Sequence, residues 1–194
     1  MTENPLRVAI IIGSTREGRF GPTVAGWFIE EARRHQGLAI DVIDLADTLP
    51  PAALGSALGG AAAEAFNAVT GTLDAADAFV IVTPEYNHSF PGTLKNLIDT
   101  HFTQWRAKPV SFVSYGGMSG GLRAVEHLRQ VFAELHAVTV RDTVSLHNPW
   151  EYFDEQGRPD DLQASGTAAK VMLDQLAWWA EALRSARAVR PYGG

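Results

Sequence analysis

The sequence contains no cysteine. That absence excludes a disulfide framework, a thiolate zinc site, an iron–sulfur cluster and a cysteine nucleophile. Long apolar runs are missing too, since no stretch approaches the roughly 18 residues of a membrane-spanning helix. Positive charge is scarce, with 16 Lys and Arg against 22 Asp and Glu and a net charge of −6. A surface that tracks a nucleic-acid backbone needs the opposite balance, so no nucleic-acid partner is expected. The opening residues Met1-Thr2-Glu3-Asn4-Pro5 show neither the basic nor the apolar region of a secretory signal, and a cytoplasmic location is expected. The six histidines, at 35, 88, 101, 127, 136 and 147, show no HxH or HxxxH spacing, so no metal site is expected. A redox role for such a chain requires a borrowed organic group.

What is present is an ordinary globular composition, 46% hydrophobic and 20% charged over 194 residues. At roughly 100–200 residues per domain, 1–194 reads as a single domain. Residues 6–12 (LRVAIII) form a continuous β-branched run, the pattern of a parallel strand covered on both faces. Similar strands are predicted over 39–45, 77–83 and 109–115, with a fifth offered by 138–140 and 144–146. Apolar residues at helical spacing predict helices over 24–32, 91–105, 119–136 and 160–187. On the last of these, Val171, Leu173, Leu176, Ala180 and Leu183 form the expected apolar face, and Trp178-Trp179 is expected to serve packing or a subunit contact. Strands alternating with such helices mean βαβ units and a parallel sheet. The Ala/Gly/Pro-rich stretch 50–63 reads as a loop or weak helix. The stretch 151–161 holds five acids and one base, −4 of the net charge, and reads as a solvated loop capping the last helix.

In an open parallel sheet, ligands bind beyond the carboxyl ends of the strands. Three loops there carry unusual chemistry. The first, Gly13-Ser14-Thr15-Arg16-Glu17-Gly18-Arg19, places glycines, hydroxyls and guanidinium groups before a helix, which suits a phosphate dianion. It misses the nucleoside-triphosphate pattern GxxxxGK[ST], because Arg19 replaces the lysine and Phe20 the magnesium-binding hydroxyl. GxGxxG is absent, so a monophosphate held without metal fits best. The second loop, 83–92 (TPEYNHSFPG), offers donors and flat surfaces between prolines, as a planar heterocycle requires. The third, 114–121 (SYGGMSGG), has four glycines that let backbone N–H groups approach a ligand. It also contains a literal GxSxG, Gly117-Met118-Ser119-Gly120-Gly121, between a strand and a helix. A serine hydrolase built on Ser119, with Asp142 and His147 downstream, is therefore a remote alternative, although no HGGG-type segment accompanies it.

Together, GSTREGR at 13–19, TPEYNHSFPGTLKNLID at 83–99 and SYGGMSGGLRAVEHLR at 114–129 resemble the NAD(P)H-dependent FMN reductase family, whose members include flavin, quinone, azo-dye and chromate reductases. The resemblance spans about 6–146. It implies a flavodoxin-like three-layer α/β sandwich with a five-stranded parallel sheet in the order 2-1-3-4-5 and FMN at the β1/β3 switch point. By motif, Ser14 and Arg16 would hold the FMN phosphate with Thr15 and Arg19 close by. Pro84, Glu85, Tyr86 and Asn87 would line the isoalloxazine and ribityl side, and Ser114, Gly116 and Gly117 would face the pyrimidine end. The implied reaction passes electrons from NADPH or NADH through FMN to a small acceptor (free flavin, quinone, azo compound or metal oxyanion) by a ping-pong route. No side chain is assigned a catalytic proton transfer, because the flavin carries the chemistry. A flavodoxin-type electron carrier is the alternative within the same fold. Homodimers or homotetramers are implied, and many relatives have tryptophan where Thr100 follows Asp99 here.

Overall fold

The computed structural model describes residues 4–51 and 58–193. Its centre is a parallel sheet built from β1 (Leu6–Ile12), β2 (Leu38–Asp44), β3 (Ala78–Pro84) and β4 (Pro109–Gly116), in the order β2-β1-β3-β4. Two short segments, β5 (Val138–Thr139) and β6 (Val144–His147), complete it along β4. The helices are α1 (Gly21–Arg34), α2 (Gly60–Ala75), α3 (Gly92–Thr100), α4 (Leu122–Glu134) and α5 (Leu162–Val189). Among the described residues, no helix is long and apolar enough to cross a membrane.

The pleat of the strands explains the layers. Val8, Ile10 and Ile12 project to one face and pack against Val24 and Phe28 of α1 and Met172, Leu173 and Leu176 of α5. Ala9 and Ile11 project to the other and meet Leu73 of α2, Leu94 and Leu97 of α3, and Leu128 and Phe132 of α4. Alternation of direction with apolar residues on both faces is what turned 6–12 into an unbroken apolar run. The expected order 2-1-3-4-5 is present, and the chain reverses direction across the sheet between β1 and β3.

Several elements differ from their expected form. The fifth strand is broken: Val138 lies opposite Pro109 and Val144 opposite Val113, so residues 140–143 span only two residues of β4. The Ser111 hydroxyl donates to Asp142 O (3.1 Å) across that interruption. The helix predicted over 91–105 stops at Thr100, and Trp105 folds back fully buried, its indole N–H donating to His101 O (2.8 Å). α4 begins at Leu122 rather than 119, because Gly120 and Gly121 take left-handed φ values of 58° and 82°. On α5, Val171 faces outward and is 48% exposed, while Ala169 and Met172 take core positions. α2 was not foreseen; it begins inside the stretch 50–63, of which 52–57 lie outside the described residues. The acidic stretch 151–161 does end in a cap, with Asp161 accepting from Ala164 N–H (2.8 Å).

Candidate functional site

The first loop leaves β1 at Gly13, whose N–H donates to Val82 O (2.9 Å). A side chain there would press on Leu94, 3.1 Å from an added Cβ, so glycine lets the chain turn beside α3. From Ser14 to Gly18, none of the five backbone N–H groups has a protein acceptor among the described residues. Ser14 is nearly fully buried, and its hydroxyl pairs with the Tyr86 hydroxyl (2.6 Å). A run of unmet donors at the entrance to a helix is an anion cradle. Arg16 is exposed, lies 5.8 Å from the Tyr86 ring centroid, and forms no ion pair among the described residues. Thr15 contacts Thr93 (3.4 Å between hydroxyl oxygens).

Arg19 stands at the same loop but is already paired. Its guanidinium fork grips the Asp44 carboxylate at 2.5 and 2.8 Å and also donates to Ser14 O at 2.6 Å. The hydrogen bond to Asp44 holds the guanidinium above its ordinary value. Arg16 and Arg19 are thus unequal: one charge is open and the other is neutralised by the end of β2.

The second loop follows β3. Tyr86 and Ser89 exchange backbone hydrogen bonds of 2.8 and 3.0 Å around Asn87 and His88, both left-handed with φ of 47° and 73°. That is the geometry of a tight two-residue hairpin. α4 holds the hairpin: Arg123 donates to His88 Nε2, and His127 Nδ1 pairs with the Ser89 hydroxyl (3.1 Å). The Glu85 carboxylate also turns toward α4. It accepts from the Ser119 hydroxyl (2.6 Å) and Arg123 N–H (3.2 Å) and pairs with Arg123 Nε (2.6 Å). Burial alone would raise this carboxyl, but the Ser119 hydroxyl and the Arg123 charge hold it below the usual carboxylate range.

The third loop packs too closely for side chains. A Cβ on Gly120 would lie 2.4 Å from the Ser145 hydroxyl, and one on Gly121 would lie 2.9 Å from Tyr115 N. The Ser114 and Ser145 hydroxyls both donate to Gly120 O, at 2.8 and 2.9 Å. Gly117 N–H has no protein acceptor among the described residues. Asn148, left-handed at φ 47°, donates its N–H to Gly116 O (2.7 Å), and so carries the following turn Pro149–Glu151 to the loop.

The three loops enclose a cleft of about 380 Å³, within the usual range of roughly 300–1,000 Å³ for small-molecule sites. It gathers Ser14, Arg16, Arg19, Pro84, Glu85, Tyr86, Gly116 and Gly117 from the sequence-predicted set. Thr15, Asn87 and Ser114 stand outside its lining, and Ser114 is fully buried beneath the glycine loop. Gly18, Phe20, Tyr115 and Trp150 line it without having been foreseen. Trp150 carried no motif; only its place just beyond the last strand could have drawn notice. Among larger hollows, two of about 620 and 640 Å³ lie along α5 and two of about 500 and 420 Å³ lie between α1 and the 154–158 turn. The first is lined by groups already paired with one another: Glu31 with Arg34, and Asp174 with His35 and Lys170.

Ser119 is not arranged as a hydrolytic nucleophile. Its hydroxyl faces Glu85, His147 Nδ1 faces Met118 O (3.0 Å), and Asp142 pairs with Arg141 and Gln175. The GxSxG match reflects a glycine-rich turn.

The doubly wound sheet is flavodoxin-like, and loop N–H groups after β1 without protein acceptors among the described residues, aromatic walls and the Gly117 N–H make a cleft chemically able to hold a phosphorylated planar heterocycle. The model of the family "NADPH-dependent FMN reductase" matches residues 6–151, and the chain belongs to that family. A probable NADPH:quinone oxidoreductase of Oryza sativa subsp. japonica is 34% identical over 177 residues, covering 87% of this chain and 86% of the relative. An NAD(P)H-dependent FMN reductase of Schizosaccharomyces pombe is 34% identical over 120 residues, 59% of this chain and 60% of the relative. Among solved structures, the flavoenzyme NAD(P)H:(acceptor) oxidoreductase FerB from Paracoccus denitrificans superposes with a TM-score of 0.73 at 22% identity, covering 91% of this chain and 98% of that one. A flavodoxin from Pseudomonas aeruginosa superposes at 0.54. The chain is thus an oxidoreductase whose cofactor is FMN and whose electron donor is NAD(P)H.

Proposed function

We propose that the chain carries electrons from NAD(P)H through FMN to a small acceptor, a quinone or a related planar compound first among them, by a ping-pong route. The names of its plant relatives, NADPH:quinone oxidoreductases, support the acceptor class. The observation that carries the reading is the run of unmet N–H groups from Ser14 to Gly18 beside the unpaired Arg16. This arrangement fits the FMN phosphate: among the described residues, a run of N–H groups without protein acceptors and an unpaired guanidinium stand at a cleft lined by Ser14, Arg16 and Gly18 on one side and by Pro84, Tyr86 and Trp150 on others.

In this reading Ser14 and Arg16 bind the phosphate, and Pro84, Tyr86 and Trp150 orient the ring system. Bound FMN supplies hydride acceptance from the nicotinamide and electron delivery to the acceptor. The Gly117 N–H, without a protein acceptor among the described residues, would be available to hydrogen-bond the cofactor's ring and favour negative charge there, since a fixed donor costs little reorganisation. Glu85, itself in the cleft lining, ties the hairpin to the start of α4 so that the second and third loops keep their spacing. In this reading donor and acceptor use the same cleft in turn, which is the physical basis of a ping-pong sequence. The chain is expected to work as one domain, in the cytoplasm, as a homodimer or homotetramer.

The test is a titration with FMN followed by steady-state turnover. Saturable FMN binding, NAD(P)H oxidation with a quinone, and parallel double-reciprocal lines are expected. No flavin uptake would overturn the assignment, and flavin uptake without NAD(P)H turnover would mark an electron carrier instead.

A further inference from the structure

The Arg19–Asp44 pair joins the phosphate loop to the edge strand β2, and neither the motif nor the family match gives that pair a task. Its geometry is specific. Both partners are mostly buried, with side chains 16% and 18% exposed. Arg19 Nη1 is shared between Asp44 Oδ1 and Ser14 O, while Nη2 takes Asp44 Oδ2. Asp44 is itself held from the other side, accepting from Ala46 N–H (3.0 Å), and its backbone carbonyl accepts from the Thr48 hydroxyl (3.1 Å). A bidentate fork between a fixed carboxylate and a guanidinium is among the more directional contacts proteins make.

The consequence follows from the peptide unit. In a planar trans peptide, the carbonyl of one residue and the N–H of the next point in opposite directions. Arg19 draws the Ser14 carbonyl toward β2, so the Thr15 N–H, on the same peptide, is turned away from β2. Thr15 N–H is one of the five donors without a protein acceptor. A carbonyl oxygen presented in its place would repel a phosphate. The charge balance agrees, because a guanidinium neutralised by Asp44 adds little net attraction for an anion, whereas Arg16 keeps its full charge.

We propose that Arg19 and Asp44 act together as positioning residues that orient the Ser14–Thr15 peptide so that its N–H faces the FMN phosphate, and that Arg19 is not itself a phosphate ligand. The proposal rests on the reading that loop 14–18 holds the phosphate.

The experiment compares FMN and riboflavin, which differ by the phosphate alone, in flavin-fluorescence titrations at several salt concentrations. Arg16→Ala is the control: it should weaken FMN but not riboflavin and flatten the salt dependence, because it removes a charge that meets the phosphate. Arg19→Ala and Asp44→Asn should each weaken FMN about tenfold, the scale of one hydrogen bond to a charged group, with riboflavin unchanged, and the double variant, which leaves the net charge beside the loop as it was, should keep the parent's salt slope. The double variant should be no weaker than either single one, since the two residues act as a unit. Arg19→Lys, which keeps the charge and loses the fork, should resemble Arg19→Ala. An amide NMR shift of Thr15 on adding FMN, present in the parent and lost in Arg19→Lys, gives a readout that general loosening of the fold would not produce.

A salt slope flattened by the charge-neutral double variant as much as by Arg16→Ala would overturn the proposal and make Arg19 a direct ligand. Tighter FMN binding by Asp44→Asn would do the same. Equal losses for FMN and riboflavin would reduce the pair to a structural contact. If Arg16→Ala leaves the FMN-to-riboflavin ratio unchanged, the phosphate assignment of the loop fails, whatever Arg19 does.

Discussion

At the scale of single residues, the site depends on contacts that one atom can make or break. Arg16→Ala should cost about 1.5–3 kcal/mol of FMN affinity, the range for a charge-assisted hydrogen bond, measurable by the titration described above. Gly121→Ala should be more damaging than its size suggests. It forces an L-residue to φ 82° and sets a Cβ 2.8 Å from that of Ser114. A loss of about 1–3 kcal/mol, or several degrees in Tm at about 2–4 °C per kcal/mol, is expected in a thermal melt, together with weaker FMN binding. Ser119→Ala should leave no esterase activity to lose, and a fluorophosphonate should fail to label the parent. The variant should instead be about 1–2 kcal/mol less stable, because Glu85 loses a donor while keeping Arg123.

At the scale of elements, α2 shows what holds a helix that its sequence barely announces. Apart from Val69 and Leu73 it buries little of its surface, and two side chains from elsewhere secure it. Lys108, buried beneath its end, donates to Leu73 O and Asp74 O at 2.9 and 3.0 Å. His101 Nδ1 faces Leu97 O on α3, so it donates there, and Nε2 accepts from the Thr70 hydroxyl of α2 (2.9 Å). Burial lowers the His101 value, so the unfolded chain takes up that proton first as pH falls. The stability contributed by neutral His101 is therefore complete above its unfolded value, near 6.5, and is lost as pH falls below it. The protection factors of α2 amides, taken against the intrinsic exchange rate at each pH, should fall as pH drops below about 6.5, and His101→Gln should flatten that response. Lys108, pushed down to about 8 by burial, works in the opposite range. Between about pH 8 and the unfolded value near 10.4 the unfolded chain holds more protons, so this residue's contribution to stability rises with pH. Lys108→Met should abolish the alkaline gain.

Legibility at this scale depended on whether an element's reasons are local. β1 and β3 could be read from 6–12 and 77–83 because burial on both faces leaves an unbroken apolar run. The starts and ends of α3 and α4 were blurred, since Trp105 and the Gly120–Gly121 pair act through tertiary contacts and backbone sign rather than periodicity. α2 escaped because only Phe66, Val69 and Leu73 mark its core-facing side, among alanines that are mostly exposed. In the site, the three loops and most of their lining were legible as motifs. The Arg19–Asp44 pair was not, since it joins residues 25 positions apart, and Trp150 reaches the cleft only through the left-handed turn at Asn148.

At the scale of the whole molecule, the two ends of the sheet do separate work. The carboxyl ends carry the cleft. At the opposite ends Asp77, before β3, accepts from Arg7 N–H (3.1 Å) and from Arg184 and Arg187 of α5 at 3.5 and 3.4 Å. Arg187 reaches on to Ala107 O (2.5 Å) ahead of β4, and Arg184 to Asn4 O and Pro5 O (both 3.3 Å) ahead of β1. Asp77→Ala should leave the part-buried Arg187 without a carboxylate, while Arg184 keeps Glu181, and cost about 1–3 kcal/mol, read as a lower Tm with the FMN dissociation constant unchanged. A parallel loss of FMN affinity would show that the two ends are coupled.

The broken outer strand has one more consequence, for how copies of this chain can meet. A sheet edge is a template: an unpaired row of N–H and C=O groups invites a foreign strand to extend it, which is how fibrils grow. Here the row is cut into pieces of two and four residues. The two extra residues between them spoil the register that an incoming strand would need. The molecule can therefore be concentrated with this edge blunted, and association of native copies falls to faces other than this strand.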